Sequence, residues 1–185
     1  MCKLSMTGDF RFFQNVGNGN NNTAKAFLTR MAAGANIIFE RTNFYGSTDS
    51  DSIRFIIGHL DVISSASAEP AEFQSDFIGV ESYLQRHSAI DHSAFCLAYR
   101  FTYRDFANGV LGLAYVAQQG AIGGICSNRL NTGIVTMLNF GRRVPENVNV
   151  LTFSHEIGHN FGSFVSFLCM YVHTVHAYRP TYVCT

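Results

Sequence analysis

The 185-residue sequence has no tryptophan, no CxxC pair, no excess of either charge and no apolar run long enough to cross a bilayer. Each absence removes a class. Without CxxC spacing, zinc-ribbon and thioredoxin-like readings fall away. Thirteen basic residues balance thirteen acidic ones, and no basic stripe or acidic tail marks a nucleic-acid or membrane-surface partner. The longest late apolar run, Phe164 to Val172, is about half the ~20 residues a membrane-spanning helix needs. The residues after Met1 are mixed rather than apolar, so no signal peptide is expected, and any exporting segment is expected to lie outside this sequence. What is present is a globular composition: 47% apolar residues, with 17 Phe and 8 Tyr, enough for one domain with a substantial core. The five cysteines, Cys2, Cys96, Cys126, Cys169 and Cys184, are widely spaced. That suits either buried free thiols or long-range disulfides, and the odd count leaves at least one thiol unpaired within the chain.

No internal repeat or long linker interrupts the sequence. Residues 2–13 read as a first strand. The turn region "NVGNGNNNT" (Asn15–Thr23) contains the sequon Asn21-Asn22-Thr23, which matters only in a secreted protein; the alternative is an Asn-rich loop ending in a helix cap. From about Ala24 to Arg41, Phe27, Met31 and Ile38 share one helical face. "SIRFIIGHLDVI" (Ser52–Ile63) is β-branched and aromatic and predicts a strand. A short helix is predicted near Val80–His87. In "FCLAYRFTY", Phe95, Leu97, Tyr99, Phe101 and Tyr103 alternate with Cys96, Ala98, Arg100 and Thr102, so this strand has two different faces. Gly109–Ala117 and Thr132–Gly141 predict two more strands, and Gly112 would let something approach the backbone closely. Pro145 would open a helix running to about Phe161. Alternating elements of this kind predict a single α/β or α+β domain, a mixed sheet with helices packed on it.

The last helix carries the chemistry. In "HEIGHNFGSF", His155 and His159 are four apart and project from one helical face, where two neutral imidazoles can bind one tetrahedral zinc ion. Glu156 lies beside the metal position. Zinc lowers the pKa of a bound water toward ~7, and the carboxylate takes its proton and delivers it to the leaving amine. Gly162 suits a sharp helix end with positive φ. His59, His87 and His92 are expected to be solvent-facing or locally hydrogen-bonded.

HExxHxxG is the opening of the extended metzincin zinc motif, whose third His would fall at position 165. Together with "CKLSMTGDFRFF", "FIGVESYL", "FCLAYRFTYRDFANGVLGLAYV", "GGIC", "LNTGIVTMLNFG" and "VNVLTFSHEIGHNFGS", it makes the chain resemble the catalytic domain of the ADAM metalloproteases, in particular the Kuzbanian or alpha-secretase branch, from Cys2 to Ser163. The resemblance implies a metzincin-like α/β (mixed α+β) domain: a mostly parallel sheet with an antiparallel edge strand, packed helices and a zinc helix. It implies Zn2+ held by His155 and His159, Glu156 as general base, and Leu111, Gly112, Leu113 and Ala114 as the edge that pairs with an extended substrate. It also implies a Cys2–Cys96 disulfide, and for Cys126 a partner that no residue here supplies. The implied partners are extended peptide segments of cell-surface proteins, Notch among them, cleaved on the extracellular side.

After Ser163 the likeness stops. Val165 stands where the third zinc His would be and has no lone pair to give a metal, which should weaken zinc binding severely. Residues 1–163 are therefore expected to form the catalytic domain. Residues 164–185 would be a divergent tail, with the family's C-terminal subdomain largely missing. Cys169, His173 and His176 are alternative donors only if the tail folds back. Three readings stay open: an ADAM-type zinc endopeptidase, a catalytically dead substrate-binding domain, and a truncated gene product.

Overall fold

The computed structural model describes residues 1–42, 53–117, 123–125 and 127–162. The first strand, β1 (Cys2–Gly8), is shorter than the sequence suggests. Asp9 stops it by capping a short helix, α1 (Phe10–Asn15), its side chain accepting from the Phe12 N–H at 2.7 Å. The Asn-rich loop ends in a second cap, where Asn20 accepts from the Thr23 N–H at 3.0 Å and opens α2 (Asn21–Arg41). Phe27 and Met31 are buried on the inner face of α2 and Ile38 packs against the core. Next come β2 (Phe55–Val62), α3 (Val80–Ser88) and β3 (Leu97–Thr102).

The strand expected over Gly109–Ala117 contracts to β4 (Gly112–Ala114), because Asn108 and Gly109 take positive φ of 61° and 72° and turn the chain just before it. The strand expected over Thr132–Gly141 divides into β5 (Thr132–Thr136) and a hairpin, β6 (Leu138–Asn139) with β7 (Arg142–Arg143). Pro145 precedes the last helix, α4 (Glu146–Asn160), as an extended N-cap rather than occupying its first turn.

The main sheet has the order β2-β1-β3-β5-β4. The first four strands are mutually parallel, and β4 runs antiparallel to β5 at the edge. All six residues of β3 are buried, as expected of a central parallel strand covered on both faces. Its two faces differ as the alternation predicts. Tyr99 and Phe101 meet Phe153 of α4 edge-on, with ring centroids 4.8 and 5.3 Å apart. Arg100 and Thr102 enter a buried polar network on the opposite face. Helix α4 lies so close to α2 that a Cβ at Gly34 would stand 2.5 Å from Val150.

Cys2 and Cys96 form a disulfide across 94 residues, tying β1 to the segment leading into β3. Reduction is expected to destabilise the fold by about 2–4 kcal/mol, mainly by freeing the unfolded chain. Thermal unfolding with and without reductant, and of the Cys2→Ser/Cys96→Ser chain, measures this; equal midpoints would contradict it. Cys126 lies outside the described residues.

Candidate active site

Helix α4 carries His155, Glu156 and His159 to the open side of the edge strand. Their placement follows from the packing of the opposite side of the helix, where Phe153 and Ile157 are fully buried. The C-terminal end of α4 is fastened to the loops around it. The N–H of Ala117 donates to the His159 carbonyl at 3.0 Å and that of Ile125 to the Asn160 carbonyl at 2.9 Å, which satisfies acceptors a helix end leaves over. Gly162 ends the helix with φ 92°, the positive value expected there, and its N–H donates to the His159 carbonyl at 2.9 Å.

Asn160 is a residue the sequence reading passed over. Its side chain is fully buried. It accepts from the Tyr99 hydroxyl at 2.5 Å and donates to the Tyr115 carbonyl at 2.8 Å and the Thr132 carbonyl at 3.3 Å. One amide thus joins the helix, the central strand β3, the start of β5 and the residue that follows β4. The only sequence signal was its position directly after the second His, on a helix turn already committed to the interior.

The two imidazoles face each other. Their Nε2 atoms are 3.0 Å apart, with ring planes at 88°. Two nitrogens bound to one tetrahedral zinc at roughly 2.0–2.1 Å would lie ~3.3 Å apart, so the pair fits a shared ion with almost no adjustment. Burial, then the neighbouring His159, pushes His155 below its ordinary pKa; the neutral imidazole it favours is the form that ligates. Among the described residues no third His, Cys, Asp or Glu joins them. Position 165 and the alternative donors Cys169, His173 and His176 lie outside the described residues.

Glu156 is only 5% exposed, and burial pushes its carboxyl up to about 8. Its neighbour is Gly112: a Cβ there would sit 2.6 Å from Oε1 and 2.7 Å from Cγ of Glu156, closer than real Cβ contacts. The close approach expected at Gly112 is therefore made by the carboxylate-bearing side chain. Glycine is required here for space, since a side chain would displace Glu156.

His155 and Glu156 share a groove of about 370 Å³ with Gly109, Val110, Leu111, Gly112, Val148, Leu151 and Thr152. On its edge side, the Thr136 N–H donates to the Leu111 carbonyl at 2.9 Å and the Tyr115 N–H to the Thr132 carbonyl at 3.3 Å. With Leu113 opposite Ile134, the antiparallel alternation directs Leu111, Leu113 and Tyr115 toward β5. It directs the N–H and C=O of Gly112 and Ala114 away from β5. The structure thus brings together His155, Glu156, His159, Leu111 and Gly112. Leu113, by contrast, turns its side chain into the second core with Ile134 and Phe106.

The other histidines serve structure. His87 and His92 are buried, with Nε2 atoms 3.3 Å from the Ala98 carbonyl and 3.0 Å from the His87 carbonyl; exposed His59 meets the Ser5 hydroxyl at 3.2 Å.

Known proteins match this chain. Residues 21–184 match the family model described as metallo-peptidase family M12B, reprolysin-like. The chain is 38% identical over 178 residues to disintegrin and metalloproteinase domain-containing protein 10 of Xenopus laevis, covering 88% of this chain and 23% of that protein. It is 36% identical over 195 residues to the Caenorhabditis elegans homolog of that protein, covering 88% and 21%. To the Caenorhabditis elegans homolog of protein 17 of the same series it is 28% identical over 190 residues, covering 88% and 28%. The chain thus spans between a fifth and three tenths of these relatives' length. A solved structure described as "Structure of a chaperone-substrate complex" superposes with a TM-score of 0.55 at 14% identity, over 87% of this chain and 23% of that one; this likeness concerns the fold alone. Family match, relatives and the helix-borne His-Glu-His constellation agree: the chain belongs to the reprolysin-like M12B metallopeptidases.

Proposed function

We propose that this chain is the catalytic domain of a zinc endopeptidase of the ADAM type, with His155 and His159 as zinc ligands and Glu156 as general base. The observation that carries the reading is one arrangement. Two imidazole nitrogens stand 3.0 Å apart beside a buried carboxylate, on a groove bounded by a sheet edge. When bound, zinc supplies Lewis-acid activation of water and of the scissile carbonyl.

The chain's own residues do the rest. Glu156 takes the proton of the attacking water and passes it to the leaving amine. Burial raises its carboxyl to about 8 in the metal-free chain, and a cation held at the two imidazoles would draw it back toward the ionised, proton-accepting form. Gly112 gives it room, and the outward N–H and C=O groups of Gly112 and Ala114 hold an extended peptide as an added strand. Residues 1–163 form this unit, and 164–185 are a divergent segment. The substrates are extended segments of cell-surface proteins, Notch-type ectodomains among them, cleaved on the extracellular side. A disulfide-bonded fold suits that compartment.

Val165 at the third-ligand position favours a second reading, a peptide-binding domain that holds metal weakly or not at all. One experiment separates the two. The purified chain is dialysed against zinc and assayed on an unstructured peptide, alongside Glu156→Ala. One zinc per chain, and cleavage that the substitution abolishes, is the expected result for the enzyme, with Val165→His tightening the metal. A folded chain that takes up no zinc and cuts nothing overturns the enzyme and leaves the binding domain.

A further inference from the structure

At the Gly109 end of the groove stands a residue with no role in the scheme above. Phe140 is 73% exposed, an unusual position for a ring of that size to be left in water. Its backbone lies in the left-handed region, φ 48°, at the tip of the β6–β7 hairpin. A non-glycine residue pays strain there. The strained turn is held from outside: the Asp105 carboxylate accepts from the Phe140 N–H at 3.0 Å and from the Gly141 N–H at 2.6 Å. The ring is laid against Gly109, where a Cβ would come within 2.8 Å of its Cε2 and Cζ atoms. Gly109 itself lines the groove that holds His155 and Glu156. Across that groove Leu151 of α4 is also 44% exposed.

A clamped backbone, a glycine that makes room for the ring, and two exposed apolar side chains flanking one groove form a consistent set. We infer that Phe140 is a specificity-determining residue. It offers a ring face to a large apolar side chain of the extended peptide whose backbone pairs with Gly112 and Ala114, and Asp105 is its positioning residue. The inference rests on the peptide-binding part of the proposed function but not on hydrolysis, so it applies equally to an active or an inactive chain.

The occupant follows from the site. The edge of β4 presents backbone groups spaced for an extended strand, and such a strand sends every second side chain to the same face. A peptide lying on Gly112 and Ala114 therefore carries a further side chain past Gly109 to Phe140. An aliphatic or aromatic residue buries both itself and the ring there, whereas glycine or a charged residue gains nothing.

The test uses the full 185-residue chain with its disulfide intact and one equivalent of zinc. The probes are fluorescein-labelled, otherwise polar decapeptides with Leu or Phe scanned through successive positions, and an all-polar reference. Binding is read by anisotropy. Phe140→Ala is expected to weaken the tightest Leu or Phe peptide by roughly tenfold or more while leaving the reference and the thermal midpoint unchanged. Phe140→Tyr should retain the preference. Asp105→Ala should lose it too, and the double variant should be no worse than Phe140→Ala, because both act through one ring. If the native chain binds the peptides but Phe140→Ala alters none, or alters all equally, Phe140 is not a specificity residue and the protease reading stands. If the native chain binds no peptide, the substrate-edge reading and this inference fall together.

Discussion

The chain with Gln in place of Glu156 is expected to be more stable than the native chain when no metal is supplied, and to cut no peptide at all. The reason is burial. The Glu156 carboxyl sits 5% exposed beside Gly112, and desolvation pushes it up from about 4.5 to about 8. A group whose folded pKa is raised contributes fully below its unfolded value. That contribution is lost as pH rises through the folded value. In the metal-free protein, then, Glu156 erodes stability from pH 4.5 upward, and at pH 7 the loss is on the order of 3 kcal/mol. Glutamine has no proton to lose and escapes this.

Thermal midpoints of the two chelator-treated chains should therefore be close at pH 5 and diverge toward pH 8, with the variant higher. His87 and His92, pushed below their ordinary value first by burial, act in the opposite sense below pH 6.5. They are common to both chains and drop out of the difference. Parallel midpoint curves would mean that Glu156 is solvated in solution and not the poised group its burial implies. The stability difference and the loss of hydrolysis share one cause. A fold that shields a carboxylate from water is destabilised by it, and keeps it where a proton must be moved.

How much of this was legible beforehand depends on what each residue had to declare. The His155–His159 spacing is a purely local fact about a helix, so sequence alone placed both rings on one side. Gly112 announced that something would come near, but not what, because its neighbour Glu156 is 44 positions away and only the packing of α4 on β4 joins them. The alternation in β3 gave its two faces correctly. It did not tell that both are covered, since Arg100 and Thr102 look like solvent-facing residues until partners arrive from distant segments. The overlong strand at Gly109–Ala117 has a simple reason. Its composition is β-like throughout, and what ends pairing is the pair of positive φ angles at Asn108 and Gly109, a turn chemistry outweighed by the apolar run that follows. The sequence extends the first strand past residue 9 for a related reason: the Asp cap that opens α1 is a single letter among aromatics. Asn160 and Phe140 escaped because their importance lies in contacts and exposure.

The cluster on the opposite face of β3 supports the second large expectation. Arg100 and Glu69 form an ion pair with side chains only 3% and 6% exposed. The Arg100 guanidinium also donates to the Tyr83 hydroxyl at 3.0 Å and stacks 3.9 Å from the Phe73 ring centroid. Glu69 accepts the Phe10 N–H at 2.8 Å through its other oxygen. Tyr83 and Thr102 in turn donate to Asp9, at 2.8 and 2.5 Å, so the cluster joins the start of α1, β3, α3 and the segment around Glu69. Glu69→Ala removes the carboxylate partner of a buried guanidinium and orphans the Phe10 N–H, and is expected to lose about 3–5 kcal/mol. Removing both charges with apolar residues of similar size, Glu69→Leu with Arg100→Met, should lose much less, because the desolvation of both ions disappears along with their attraction. Denaturant unfolding of the two variants decides it. If the single substitution falls within about 1 kcal/mol of the native chain, the range of an exposed pair, water reaches the pair and the network is not the buried brace its geometry describes. Since the cluster lies across the sheet from α4, the variant that remains folded should keep the zinc affinity of the native chain, separating what holds the sheet together from what arms the helix.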